Sequence, residues 1–159
     1  FAQTKDYTAM AVYDLTTKQQ VDLLHINNME WAEIRNRIKQ VYDKWHLRSV
    51  IAERNSIGQP NIEALQNMGV YAVAFDTTNE SKSAIMSNMN ECIHAGGWKM
   101  LPLAVQRHEM NTFVATQLQS GAWRLAADGD GHDDTVIGNA LAIWSGKLGH
   151  SELVDNPWG

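Results

Sequence analysis

The segment Asp128-Gly129-Asp130-Gly131-His132-Asp133-Asp134 places four aspartates within seven residues, immediately before an apolar helical pattern. Ile137, Ala140, Leu141 and Trp144 recur at i, i+3, i+4 and i+7, so one helical face is buried and Asp133 and Asp134 fall at the helix start. Adjacent like charges repel. The helix dipole offsets part of that cost, about 0.3–1 kcal/mol per charge. A divalent cation offsets much more, and hard carboxylate oxygens select Mg²⁺, Mn²⁺ or Ca²⁺. His132 reads as a support for the acidic pair rather than as a base.

A second carboxylate sharpens the metal reading. The apolar run Ser49-Val50-Ile51-Ala52 ends in Glu53 and is followed by the loop-like Arg54-Asn55-Ser56-Ile57-Gly58. A carboxylate at the exit of a buried strand is held rigidly at the sheet edge, where α/β proteins place their sites. Asp6 stands just before the strand-like run Thr8 to Tyr13. Glu53, Asp133, Asp134 and Asp6 are therefore the candidate metal ligands and catalytic residues. Each has a plainer reading: Asp133 or Asp134 caps the helix, Glu53 is a solvated strand-end acid, and Asp6 supports a ligand rather than being one. Asp128 and Asp130, flanked by glycines, read as turn residues.

The order of these acids resembles the C-terminal nuclease domain of the large terminase subunit of tailed bacteriophages, in the RNase H-like superfamily. In that family a strand ends in a catalytic Asp, and six residues later a second Asp precedes Tyr-Thr or Tyr-Ser. Phe1-Ala-Gln-Thr-Lys-Asp6-Tyr7-Thr8 matches everything after the first Asp. Glu53-Arg-Asn-Ser-Ile57-Gly58 matches the second motif, and Gly131-His132-Asp133-Asp134 the third. The order holds from Phe1 to about Trp144. The resemblance implies an RNase H-like mixed central sheet flanked by helices. It also implies that the family's first Asp and its strand, normally central in the sheet, lie upstream of Phe1.

Further elements can be read around the acids. Residues 8–14 and 20–26 read as a hairpin. Asn27 and Glu30 form a capping-box pattern for a helix to about 46, with Trp31, Ile34, Ile38, Val41, Tyr42 and Trp45 as its stripe. A strand over 48–53 follows, then a loop, then a helix begun near Pro60 and stopped by Gly69. Val70 to Phe75 reads as a strand, and Thr77 with Glu80 as the box of a helix to about 95. A short strand is expected over 98–101 and a helix over 102–110. A late β-hairpin spans 112–118 and 122–127, and the last helix runs from 133 to 146. Alternating strands and helices give an α/β domain over 1–148 with a tail over 149–159. Trp98, Trp123 and Trp144 read as core or interface residues.

Composition bounds the function. A chain of 159 residues, 44% hydrophobic, can bury one core. No apolar run approaches the ~18–20 residues that span a bilayer, and no secretory leader is visible, so no membrane partner is expected. The lone Cys92 cannot form an internal disulfide and reads as a packed thiol. The net charge of −5 argues against coating nucleic acid by charge alone, although bound metal would reverse the local field. Lys82, Lys99, Arg107 and Arg124 could meet phosphate, but solvated surface is the plainer reading. Arg35, Arg37 and Lys39 read as an exposed helix face. Asp128-x-Asp130-x-His132 departs from an EF-hand at its Gly and its bidentate Glu. No phosphate-binding Gly-x-x-x-x-Gly-Lys-Ser/Thr occurs, so the ATPase motor that accompanies this nuclease is not in these residues.

The resemblance thus implies a metal-dependent DNA endonuclease that cuts concatemeric viral DNA. Two Mg²⁺ or Mn²⁺ ions, about 3.5–4 Å apart in such sites, would be held by Glu53, Asp133 and the upstream Asp, with Asp134 and Asp6 as ligands or supports. Implied partners are double-stranded DNA, the ATPase motor domain of the same polypeptide, the portal and the small terminase subunit. The implied setting is the host cell cytoplasm during virion assembly. Two alternatives stay open: a catalytically incomplete docking or DNA-binding module, and a resolvase- or transposase-like nuclease on the same fold.

Overall fold

The computed structural model of the chain describes residues 7–121, 123–129 and 131–147. Strands β1 (Tyr7–Asp14) and β2 (Gln19–Asn27) pair antiparallel, with the register slipping between Val12 and Tyr13. Helix α1 (Trp31–Trp45) leads to β3 (Val50–Glu53). The connection from β3 carries the short α2 (Arg54–Ile57) and α3 (Gln59–Asn67), and β4 (Ala72–Phe75) then pairs with β3 in parallel. After α4 (Asn79–His94) and α5 (Ala104–Thr112), β5 (Phe113–Gln117) and β6 (Trp123–Ala127) form the late hairpin, and α6 (Asp134–Lys147) closes the order.

Strand alternation builds the layers. Val50 and Ala52 of β3 join Ile34 and Ile38 of α1 and Ile62 and Leu65 of α3 in one core. Ile51, between them, points the other way and packs with Ile85 and Met89 of α4 and Val136 to Ile143 of α6 in a second core. Helix α6 is buried almost all round: Val136, Ala140 and Ile143 have 0% exposure. It also crosses β1 closely, and a Cβ on Gly138 would sit 3.4 Å from the Ala9 carbonyl oxygen.

Among the described residues no ladder joins β1 to β3; the strands form separate pairs. A cavity of about 460 Å³ lies between them and is lined along the whole length of both strands. Ile137, Gly138 and Leu141 of α6 wall one side, and Ile38 and Leu65 the other.

Several local expectations shift. Helix α1 has Glu30 at its cap with no side-chain bond, while Asn27 ends β2 and Asn28 turns the chain at φ 50°. In α1 only Ile34 and Ile38 are buried, and Trp31 and Trp45 at its ends are each 37% exposed. The α4 capping box is made by Thr78 and Ser81, one residue later than Thr77 and Glu80. The loop after Glu53 winds into α2, and residues 98–101 supply only the isolated bridge of Lys99 to Gln19. The tail over 149–159 lies outside the described residues.

Candidate active site

Glu53 ends β3 with extended backbone and becomes the cap residue of α2. Its carboxylate accepts a short hydrogen bond from the Thr77 hydroxyl, just beyond β4. Thr77 is free to do this because Thr78 takes the helix cap, accepting from the Ser81 amide at 3.1 Å. The parallel pairing of β3 and β4 brings the two loops together: Arg54 bridges Asp76 at 3.0 Å, and Asn55 donates to the Thr77 carbonyl at 3.2 Å.

The amino end of α6 faces the same place. Asp133 stands one residue before the helix, and its carbonyl accepts the Ile137 amide at 2.9 Å. Beneath it Glu109 of α5, only 3% exposed, accepts from the Thr135 amide at 2.7 Å and from the Thr135 hydroxyl. A buried charge stays only where it is well bonded, and free helix amides are suitable donors. One turn on, buried Asn139 donates to Gln106, which exchanges amide bonds with Gln20 of β2. This polar chain fixes the height of α6 against β1 and β2.

Glu53, Asp133 and Asp134 line the cavity between β1 and β3 together, so the structure gathers three of the four acids expected to act. Asp6 lies outside the described residues, as does Asp130. The Asp134 carboxyl is pushed up to about 6, first by burial and then by the negative charges of Glu109 and Asp133. His132 Nδ1 lies 3.7 Å from Asp134 Oδ2. The Tyr7 ring meets His132 edge-on at 4.8 Å and stacks on His25 at 4.7 Å. Asp133 is paired with Lys82 of α4 at 3.3 Å.

A crowded carboxyl such as Asp134, raised by burial and by neighbouring acids, is what a hard divalent cation relieves. Among the described residues, the carboxylate oxygens of Glu53, Asp133 and Asp134 suit a hard divalent cation such as Mg²⁺. Among the described residues, no group of three or more acidic, His or Cys side chains stands close enough to hold an ion.

Sequence reasoning missed three supports. Thr77 was assigned to a cap, and only the parallel register shows it facing Glu53. Glu109 carries no local signal in the sequence, because its partner Thr135 is 26 residues away. Tyr7 reads only as part of the Asp6-Tyr7-Thr8 motif. Lys82 was named as a cation, and its pairing with Asp133 spans 51 residues, beyond the reach of any local pattern. Lys99 and Arg107 are exposed and line neither cavity of the site.

No family model matches the chain. It is 27% identical over 153 residues to the terminase large subunit of Thermus virus P23-45, covering 94% of this chain and 32% of that protein. The chain thus spans about a third of the length of the curated relatives it matches. Its structure superposes on the large terminase nuclease of thermophilic phage G20c with bound magnesium at a TM-score of 0.82 and 25% identity, covering 91% of this chain and 77% of that one. The large terminase nuclease domain of Thermus phage P74-26 matches at 0.77 and 26% identity, covering 89% and 74%. The chain has the RNase H-like α/β fold of the large terminase nuclease, as its motif order implied.

Proposed function

We propose that this chain is the metal-dependent endonuclease domain of a viral DNA-packaging terminase, cutting concatemeric double-stranded DNA. One observation carries the reading. Glu53 and the distant pair Asp133 and Asp134 line one cavity, on the fold of a nuclease solved with bound magnesium. Glu53, Asp133 and Asp134 would hold Mg²⁺ or Mn²⁺, with Asp6 as a further ligand or support. When bound, a pair of such ions activates water and stabilises the leaving oxygen of an in-line displacement. The chain's own groups orient these acids: Thr77 fixes Glu53, His132 flanks Asp134, and Glu109 anchors the helix that carries the pair.

The resemblance also supplies an occupant for the gap between β1 and β3. A strand preceding Phe1 would fill it and carry a further Asp to the same acids. Double-stranded DNA, the ATPase motor of the same polypeptide, the portal and the small subunit are the proposed partners, in the host cytoplasm. No helix among the described residues is long and apolar enough to cross a membrane.

The incomplete donor shell among the described residues favours one second reading, a catalytically silent docking module. Plasmid cleavage by a polypeptide that includes the preceding strand separates the two. Cutting is expected in Mg²⁺ or Mn²⁺, with none in EDTA and none after Glu53→Ala or Asp133→Ala in a folded protein. Robust cutting in EDTA, or unfolding of both variants, would overturn the assignment.

A further inference from the structure

A second cavity, of about 480 Å³, opens between the first turn of α4 and β6. Thr77, Thr78 and Asn79 line one wall, and Arg124 stands on the other. Asp133 belongs to this lining and to that of the cavity beside Glu53, so the two meet at one carboxylate. Lys82 sits at the junction. Its Nζ lies 3.3 Å from Asp133 Oδ2, with only 20% of the side chain exposed, and 5.7 Å from the centre of the Phe113 ring.

The position is costly for a lysine. The first turn of a helix presents free amides and the positive end of the dipole, which favour anions. The Asp133 carboxylate offsets this cost, yet it is also an oxygen donor that a divalent ion would claim. An ammonium and a metal ion compete for it, since each raises the electrostatic cost of the other. Once displaced, Lys82 has a flexible four-carbon stem and a point charge, which suit a phosphate oxygen. The adjoining cavity, with exposed Arg124 opposite, has room for one.

We propose that Lys82 is a resident cation for Asp133, held there until metal binds and then turned to a backbone phosphate of the nucleic acid in the polar cavity. The inference rests on the nuclease reading and adds an exchange of partners to it. Lys82 acts as a positioning residue for both ligands, with opposite signs: it weakens metal binding and strengthens nucleic-acid binding.

The opposite signs make the test. Lys82→Met, Lys82→Gln and Lys82→Arg are compared with the parent in the intact polypeptide, with melting curves confirming the fold. Calorimetric titration with Mg²⁺ alone should show the neutral variants binding about two- to fivefold tighter, the scale of a partly exposed ion pair. Duplex DNA binding in Ca²⁺ over a salt series should weaken several-fold, with the log–log salt slope reduced by about 1. Lys82→Arg should stay near the parent in both. A purely structural lysine would weaken both ligands together or neither, and either result overturns the proposal. If the parent cuts DNA with Mg²⁺ but the neutral variants bind Mg²⁺ no tighter, only the role of Lys82 falls. If the parent binds no Mg²⁺, the nuclease reading falls with it.

Discussion

At the scale of single residues, Asp134 shows how the site stores electrostatic tension. Its folded carboxyl keeps a proton to about pH 6, whereas the unfolded chain releases it near the ordinary aspartate value of 3.8. Between those values the folded state binds more protons, so this group's contribution to stability falls as pH rises through the window and stays lower above it. Asp134→Asn removes the loss. In metal-free buffer the variant is expected to melt at the parent's temperature at pH 3.5 and above it at pH 7.5. Mg²⁺ should then stabilise the parent more than the variant. Equal melting temperatures at both pH values would show that the carboxyl is not crowded.

At the scale of elements, what the sequence disclosed depended on the range of the interaction. Pro60 and Gly69 bounded α3 correctly because their backbone constraints are local. The hairpins and α6 followed from periodicity and turn residues. The α4 cap was misplaced by one residue because Thr77 and Thr78 are equivalent in isolation, and only Glu53 on the neighbouring strand distinguishes them. The candidate acids stood out by their types and order; the contacts of Thr77, Glu109 and Lys82 did not, since each joins elements far apart in sequence. The cap itself is testable. Thr78→Ala removes one bond to the Ser81 amide and should cost about 1 kcal/mol, or about 2–4 °C in melting temperature for a domain of this size. Thr77→Ala should leave α4 intact and loosen Glu53 instead. If Thr77→Ala lowered stability as a lost cap does, the two roles would be reversed.

At the scale of the whole molecule, charge and shape set how the domain meets DNA. A net charge of −5 offers no long-range attraction to phosphate, and the paired cations Lys39, Lys44 and Arg54 are tied to Asp43, Asp22 and Asp76. Binding to unrelated duplexes in Ca²⁺ should therefore be micromolar or weaker, with little sequence preference, and should tighten when the domain is tethered to a motor that raises local DNA concentration. Nanomolar, sequence-selective binding by the domain alone would point to a resolvase-like enzyme. The gap between β1 and β3 acts on a different property. Two strand edges face each other across it without a ladder, and a strand edge of this kind templates pairing with any extended chain in reach. Colloidal behaviour is thus set by the same gap as the sheet. The domain is expected to self-associate as its concentration rises in sedimentation experiments, and an extended peptide that pairs with these edges should suppress this. A domain that stays monomeric at high concentration without such a peptide would mean that its edges are already guarded.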